Sequence, residues 1–255
     1  MISRISSLQS LVVLGLCGAL FFHLMGCGVY VPTLGPVSMV QQRGQAEVGA
    51  IYRPLTMAEA YAVYSPVKHL LVAGSASKLW RPVSGDTDAT FRQADVGLGY
   101  YTTFGSRQHW YVSGLGGYGA AVSNVRYQAE GSLSPIKDYR ARYNPAYGQI
   151  QIGFQNDVCA LGTALRLTNL HYTTLTLNGQ HPTEPVGDLY LGTYLYARLG
   201  RGPIQFQIQA GASRPLPSAA EGTEYELNTS SPAFGIGVVF RPHLLGHKGN
   251  APRIR

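Results

Sequence analysis

The chain has 255 residues, with 20 Lys plus Arg against 13 Asp plus Glu, and charged residues make up 13% of it. That share is about half the usual globular value, which excludes a disordered chain, and 31 glycines argue against a mainly helical one. The length suits one large domain or two small ones, and the basic excess forms no stripe and carries no recognition motif, so no nucleic-acid partner is expected.

Met1 to Ser10 carries one base, Arg4, and no acid; Leu11 to Met25 is then almost unbroken apolar sequence, LVVLGLCGALFFHLM. A basic start followed by such a run reads as a signal peptide, and it is short of the ~20 apolar residues a spanning helix needs. The run closes on Leu24-Met25-Gly26-Cys27, where the small Gly26 gives a processing enzyme access. This stretch resembles the lipobox of bacterial lipoproteins, departing from it at Met25, where a smaller residue is usual. The resemblance implies cleavage before Cys27, a diacylglycerol on its thiol and a further acyl chain on the new amine. Residues 1–26 are then the signal, and 27–44, with Pro32 and Pro36, a lipidated tether or plug. Several chains anchor stably because each buried CH₂ adds about 0.8 kcal/mol. Gly28 follows the cysteine, where an Asp would resemble an inner-membrane retention signal; outer-membrane sorting is what the resemblance implies. Lipidation of Cys27 leaves Cys159 as the one thiol of the mature chain, so no internal disulfide, metal set or cofactor is expected.

From Gln45 onward apolar residues recur with period two. The spacing predicts strands near 45–53, 57–65, 70–79, 91–104, 109–127, 144–156, 159–177, 188–199, 203–214 and 231–240, the second of which, MAEAYAVY, could also form a short helix. In the sixth, Ile150, Ile152 and Phe154 oppose Gln149, Gln151 and Gln155. In the eighth, Leu189, Leu191, Leu195 and Leu199 oppose Tyr190, Gly192, Tyr194, Tyr196 and Arg198. In the ninth, Ile204, Phe206 and Ile208 oppose Gln205, Gln207 and Gln209. Short turns at 65–69, 105–108, 156–157 and 200–202 alternate with longer loops at 80–90, 128–143, 178–187 and 215–230; the first connection, 53–56, is short where a long one is due. An even strand count with turns of two lengths describes an all-β, antiparallel up-and-down transmembrane β-barrel over 45–240.

The ending supports this. Gly235, Val238 and Phe240 resemble the last-strand signal of outer-membrane barrels, although here a basic tail, 241–255, follows Phe240. A lipobox followed by such a barrel resembles outer-membrane β-barrel lipoproteins. That resemblance implies a Gram-negative cell outer membrane, with outer-membrane lipids, barrel-insertion machinery and lipoprotein-sorting machinery as partners. An acylated Cys27 in the periplasmic leaflet would put the N-terminus, the short turns and the basic C-terminal tail on the periplasmic side, with the acidic long loops outside.

A soluble barrel of the lipocalin sort alternates too, but hides its apolar face inside. Three features favour the bilayer: strands long enough for the ~9–11 residues of a tilted crossing, Gln and Tyr rows ill-suited to a wet exterior, and aromatics near turns. Tyr100, Tyr101, Phe104, Trp110, Tyr111, Tyr143, Tyr147 and Tyr172 are expected in interfacial girdles. Gly97, Gly99, Gly114, Gly116, Gly117 and Gly119 suit a curved wall with side chains crowded inside.

For chemistry the sequence offers little. Asp86, Asp88, His181, Glu184 and Asp188 could arm the rim of a protease or lipid-editing hydrolase, with an Asp–His pair activating water, but nothing fixes their neighbours. His171 reads as wall. No GxSxG, HExxH or P-loop is present, and the glycines of GLGGYG, 114–119, sit within a strand with no following helix, so they are not a phosphate cradle. A narrow transport pore lined by Gln rows, Arg166, Arg198 and Glu47 is a further alternative; ten strands enclose little free width, so these charges are expected to pair with one another. The expectation is a non-enzymatic envelope or surface component.

Overall fold

The computed structural model describes residues 29–53, 57–79, 87–105, 108–127, 137–181, 187–216 and 231–245. The lipobox residues Leu24, Met25, Gly26 and Cys27 lie outside the described residues, as do Asp86 and Glu184. Ten strands follow in order: β1 (Ala46–Arg53), β2 (Met57–Tyr64), β3 (Leu70–Leu79), β4 (Thr87–Phe104), β5 (Trp110–Tyr127), β6 (Lys137–Gln155), β7 (Cys159–Leu177), β8 (Gly187–Leu199), β9 (Ile204–Pro215) and β10 (Ser231–Phe240). Each pairs antiparallel with the next, and β10 closes on β1 from Val48↔Phe240 to Tyr52↔Ile236. The result is the closed, all-β, up-and-down barrel that the alternation describes.

Period two decides each strand. In β2 the helix-favouring Ala and Glu residues are overruled because Met57, Glu59, Tyr61 and Val63 must face in while Ala58, Ala60, Ala62 and Tyr64 face out, with ladders to β1 and β3 on both sides. Strands β4 and β6 start earlier than expected, at Thr87 and Lys137. The cause is that alternation persists after the exterior turns polar: Tyr139, Ala141 and Tyr143 are buried while Arg140 and Arg142 are exposed.

The two faces are inverted relative to a water-soluble barrel. Val96, Ile150, Leu195 and Ile204 are 63–69% exposed on the outside. Glu47, Arg198, Gln207 and Gln209 are buried within. On β4 the outward residues from Ala94 to Phe104 form a band of about the length a bilayer crossing needs. Directly above it, Lys78, Arg92 and Arg142 share one rung, with Lys78↔Arg92 across β3–β4 and Arg92↔Val122↔Arg142 across β4–β6. At the other end Phe104 stacks on Trp110, centroids 6.2 Å apart, and both are exposed.

The girdle expectation holds for three of its eight aromatics. Tyr100, Phe104 and Trp110 face outward, but Tyr101, Tyr111, Tyr143 and Tyr147 are buried in the lumen and Tyr172 is partly buried against it. Adjacent residues on a strand point to opposite faces, so proximity to a turn could not assign them. Several inner tyrosines lie over glycines of neighbouring strands. A Cβ at Gly117 would overlap the Tyr147 ring, so the glycine makes the shelf on which that ring rests.

The wall is uneven. β1 and β2 have 8 residues each, whereas β6 and β7 have 19. At about 3.3 Å per residue and a tilt near 40°, the first pair rises about 20 Å and the second about 48 Å, against an apolar band of about 25 Å.

Candidate functional site

The lumen is filled by the chain's own N-terminal segment. Residues 32–40 are buried throughout, as are Val29 and Tyr30. An apolar stretch broken by Pro32 and Pro36 forms neither helix nor ladder strand, so its backbone polar groups need partners elsewhere. The inward side chains of the wall supply them. Leu34 N donates to Glu59 Oε2 at 2.9 Å, Ser38 N to Gln151 Oε1 at 3.2 Å and Met39 N to Glu47 Oε2 at 3.1 Å. In return, Pro32 O accepts from Arg53 at 2.6 Å, Pro36 O from Gln149 at 2.8 Å, Ser38 O from Gln151 at 2.8 Å, and Val37 O from Arg198. The glutamine row therefore works as a bracket for an extended segment. Gly35 sits at φ +70°, and a side chain there would meet the Arg166 guanidinium.

Much of the charge in the lumen is paired. Arg198 Nη1 lies 3.0 Å from Glu47 Oε2, its Nε donates to Gln207 at 2.8 Å, and Arg241 Nε lies 3.3 Å from the other Glu47 oxygen. Arg53 meets Glu59 at 3.1 Å. Arg166 is held mainly by the Tyr147 ring, 3.6 Å below its guanidinium carbon, with Asp95 at 3.9 Å; Tyr147 OH in turn donates to Asp95 at 3.0 Å. The sequence pointed to Arg166, Arg198 and Glu47 as inward residues that would pair. It missed Glu59, Arg53 and Asp95, although each stands at an inward position of its strand's alternation.

The segment has a direction. At one end, Gln41 Nε2 donates to Gln108 O at 3.3 Å and Gly44 N to Ser65 O at 2.7 Å, both in short turns. At the other, Tyr30 packs on Tyr190 and Tyr143, with centroids 4.4 and 6.2 Å away. Val29 and Tyr30 belong to a cluster with Met57, Leu79, Phe91, Tyr139 and Leu175, all toward the long-loop ends of their strands. The sequence reading expected the mature N-terminus at the short-turn end; Cys27 lies outside the described residues, and the described chain begins with Val29 at the long-loop end and descends to β1. The start of the C-terminal tail does lie at the short-turn end, where His243 Nδ1 is 3.1 Å from Ala46 O.

The rim candidates are scattered. Asp88 is exposed on the barrel exterior, whereas Asp188 is buried inside, 3.4 Å from Tyr172 OH. His181 is exposed and its Nδ1 lies 3.2 Å from Leu175 O. His171 faces outward on β7. Gly235 faces inward, and Val238 and Phe240 outward, on the closing strand β10. Among the described residues no group of three His, Cys, Asp or Glu could hold a metal ion.

No family model and no curated protein matches the chain. Among solved structures it is similar to the translocator domain of the autotransporter NalP from Neisseria meningitidis, at 11% identity and a TM-score of 0.40, over 77% of this chain and 86% of that one.

Proposed function

We propose that this protein is an outer-membrane β-barrel lipoprotein, anchored through Cys27 and serving as a non-enzymatic envelope component. One observation carries the reading: the barrel presents an apolar band outward while its polar interior is occupied by residues 29–40 and by paired charges. Backbone groups in hydrocarbon must be satisfied within the protein, and closure of β10 on β1 does this. The non-enzymatic part is supported by Asp88 and Asp188 facing opposite sides of the wall. A transport pore is disfavoured because the segment fills the path such a pore would need.

The test is fractionation of wild type and Cys27→Ala, with fatty-acid labelling and gel mobility before and after boiling. Wild type should partition with the outer membrane, carry label and run faster unboiled; the variant should lose label and signal cleavage. Equal mobility boiled and unboiled would overturn the barrel, and label retained in Cys27→Ala would overturn the anchor. If Asp86, Asp88, His181 and Asp188 were replaced by Ala and a hydrolase activity of the purified protein disappeared, the non-enzymatic reading would fall.

A further inference from the structure

We infer that the N-terminal segment carries its lipid anchor through the barrel, so that the acyl chains of Cys27 sit in the outward-facing leaflet. The inference rests on the reading that Cys27 is acylated and that the barrel lies in an outer membrane.

Three observations place the anchor. The first is direction: residues 41–45 are tied to the short turns, whereas Val29 and Tyr30 lie in the cluster at the long-loop end. Outer-membrane barrels put short turns in the periplasm and long loops outside, so the chain crosses the membrane once, inside the lumen, before β1 begins. Tyr30 to Val40 can extend at most about 35 Å, enough for a hydrocarbon core of about 30 Å.

The second is the bracket. Glu59, Arg53, Gln149, Gln151, Arg198 and Glu47 hold the segment at successive heights, from Pro32 at the upper end to Met39 near the lower. These bonds are made to backbone atoms in one register, and reversing the segment would break them, leaving Gln149, Gln151 and the segment's buried backbone groups to find other partners.

The third is reach. Val29 belongs to the cluster at the long-loop end, and Tyr30 packs there on Tyr143 of β6 and Tyr190 of β8. Cys27 is two residues beyond Val29, a reach of about 7 Å, which keeps it at that end.

The experiment uses the full chain in a Gram-negative host, with Cys159→Ser as background and three single cysteines added in turn: Gly28→Cys, His181→Cys at the long-loop end and Arg201→Cys in a short turn. Intact cells are treated with a membrane-impermeant maleimide, and heat-modifiable mobility confirms that each variant folds. Gly28→Cys and His181→Cys should label on intact cells, and Arg201→Cys only after the outer membrane is permeabilised. Protection of Gly28→Cys while His181→Cys labels would overturn the inference. Labelling of Arg201→Cys alone would show the barrel inverted and overturn it as well. The acylation reading is scored separately: if Cys27 took up no labelled fatty acid, that reading would fail and the surface anchor with it, even with Gly28→Cys accessible.

Discussion

Arg198 and Glu47 stand 151 residues apart in sequence and meet at 3.0 Å inside the barrel, one side chain 1% and the other 0% exposed. The pair joins β8 to β1 across the lumen, and the same two residues hold Val37 O and Met39 N of the threaded segment. Wall and plug therefore share one buried network.

Breaking that pair should cost more than removing it. Glu47→Ala leaves the Arg198 guanidinium buried without its main partner, an expected loss of about 3–5 kcal/mol. The joint replacement Glu47→Gln with Arg198→Met should recover most of that. The temperature at which the fast-running unboiled band disappears, compared across the single and joint variants, checks it; a single variant as stable as wild type would contradict it.

Deleting residues 29–40 should open the lumen. The barrel lacking them, refolded and inserted into planar bilayers, is expected to show conductance steps that the full-length protein does not show. Closed bilayers with both proteins would mean that wall side chains alone fill the space.

The shelf beneath Tyr147 should tolerate no added atom. Gly117→Ala drives a Cβ into that ring and is expected to cost about 1–3 kcal/mol. Tyr147→Phe removes only the hydrogen bond to Asp95, about 1 kcal/mol. Urea unfolding from lipid vesicles, followed by tryptophan fluorescence, measures both.

An arginine on the outer face should report the membrane itself. Ile150 is 65% exposed in the apolar band, and Ile150→Arg there is expected to lose about 2–4 kcal/mol in a bilayer. Asn124→Arg, on the polar exterior above the band, should change stability by less than about 1 kcal/mol. Equal effects in vesicle-unfolding titrations would argue against a membrane at that height.

Much of this was legible before any coordinates. The Ile–Gln alternation of β6 and β9 names both the strand and its two faces, and the alternation of turn lengths names the topology. Aromatics were less legible. Tyr100 and Tyr101 are neighbours near the same turn, yet one is exposed on the outer face and the other is 1% exposed, since only the parity of the alternation separates them. Residues 27–44 read as a tether or plug, with Pro32 and Pro36, but without a path, because their partners lie far along the chain, as Ser38 and Gln151 do at a separation of 113.

The chain by itself determined the period, and with it how many strands there are and which side chains stand together on one face. Only closure of β10 on β1 decided that the apolar face looks outward and what the polar face encloses. Alternation is a local property of successive residues and is the same whichever way a sheet curls. The direction of the threaded segment is a property of contacts between distant residues, and such contacts exist only once the barrel has closed around it.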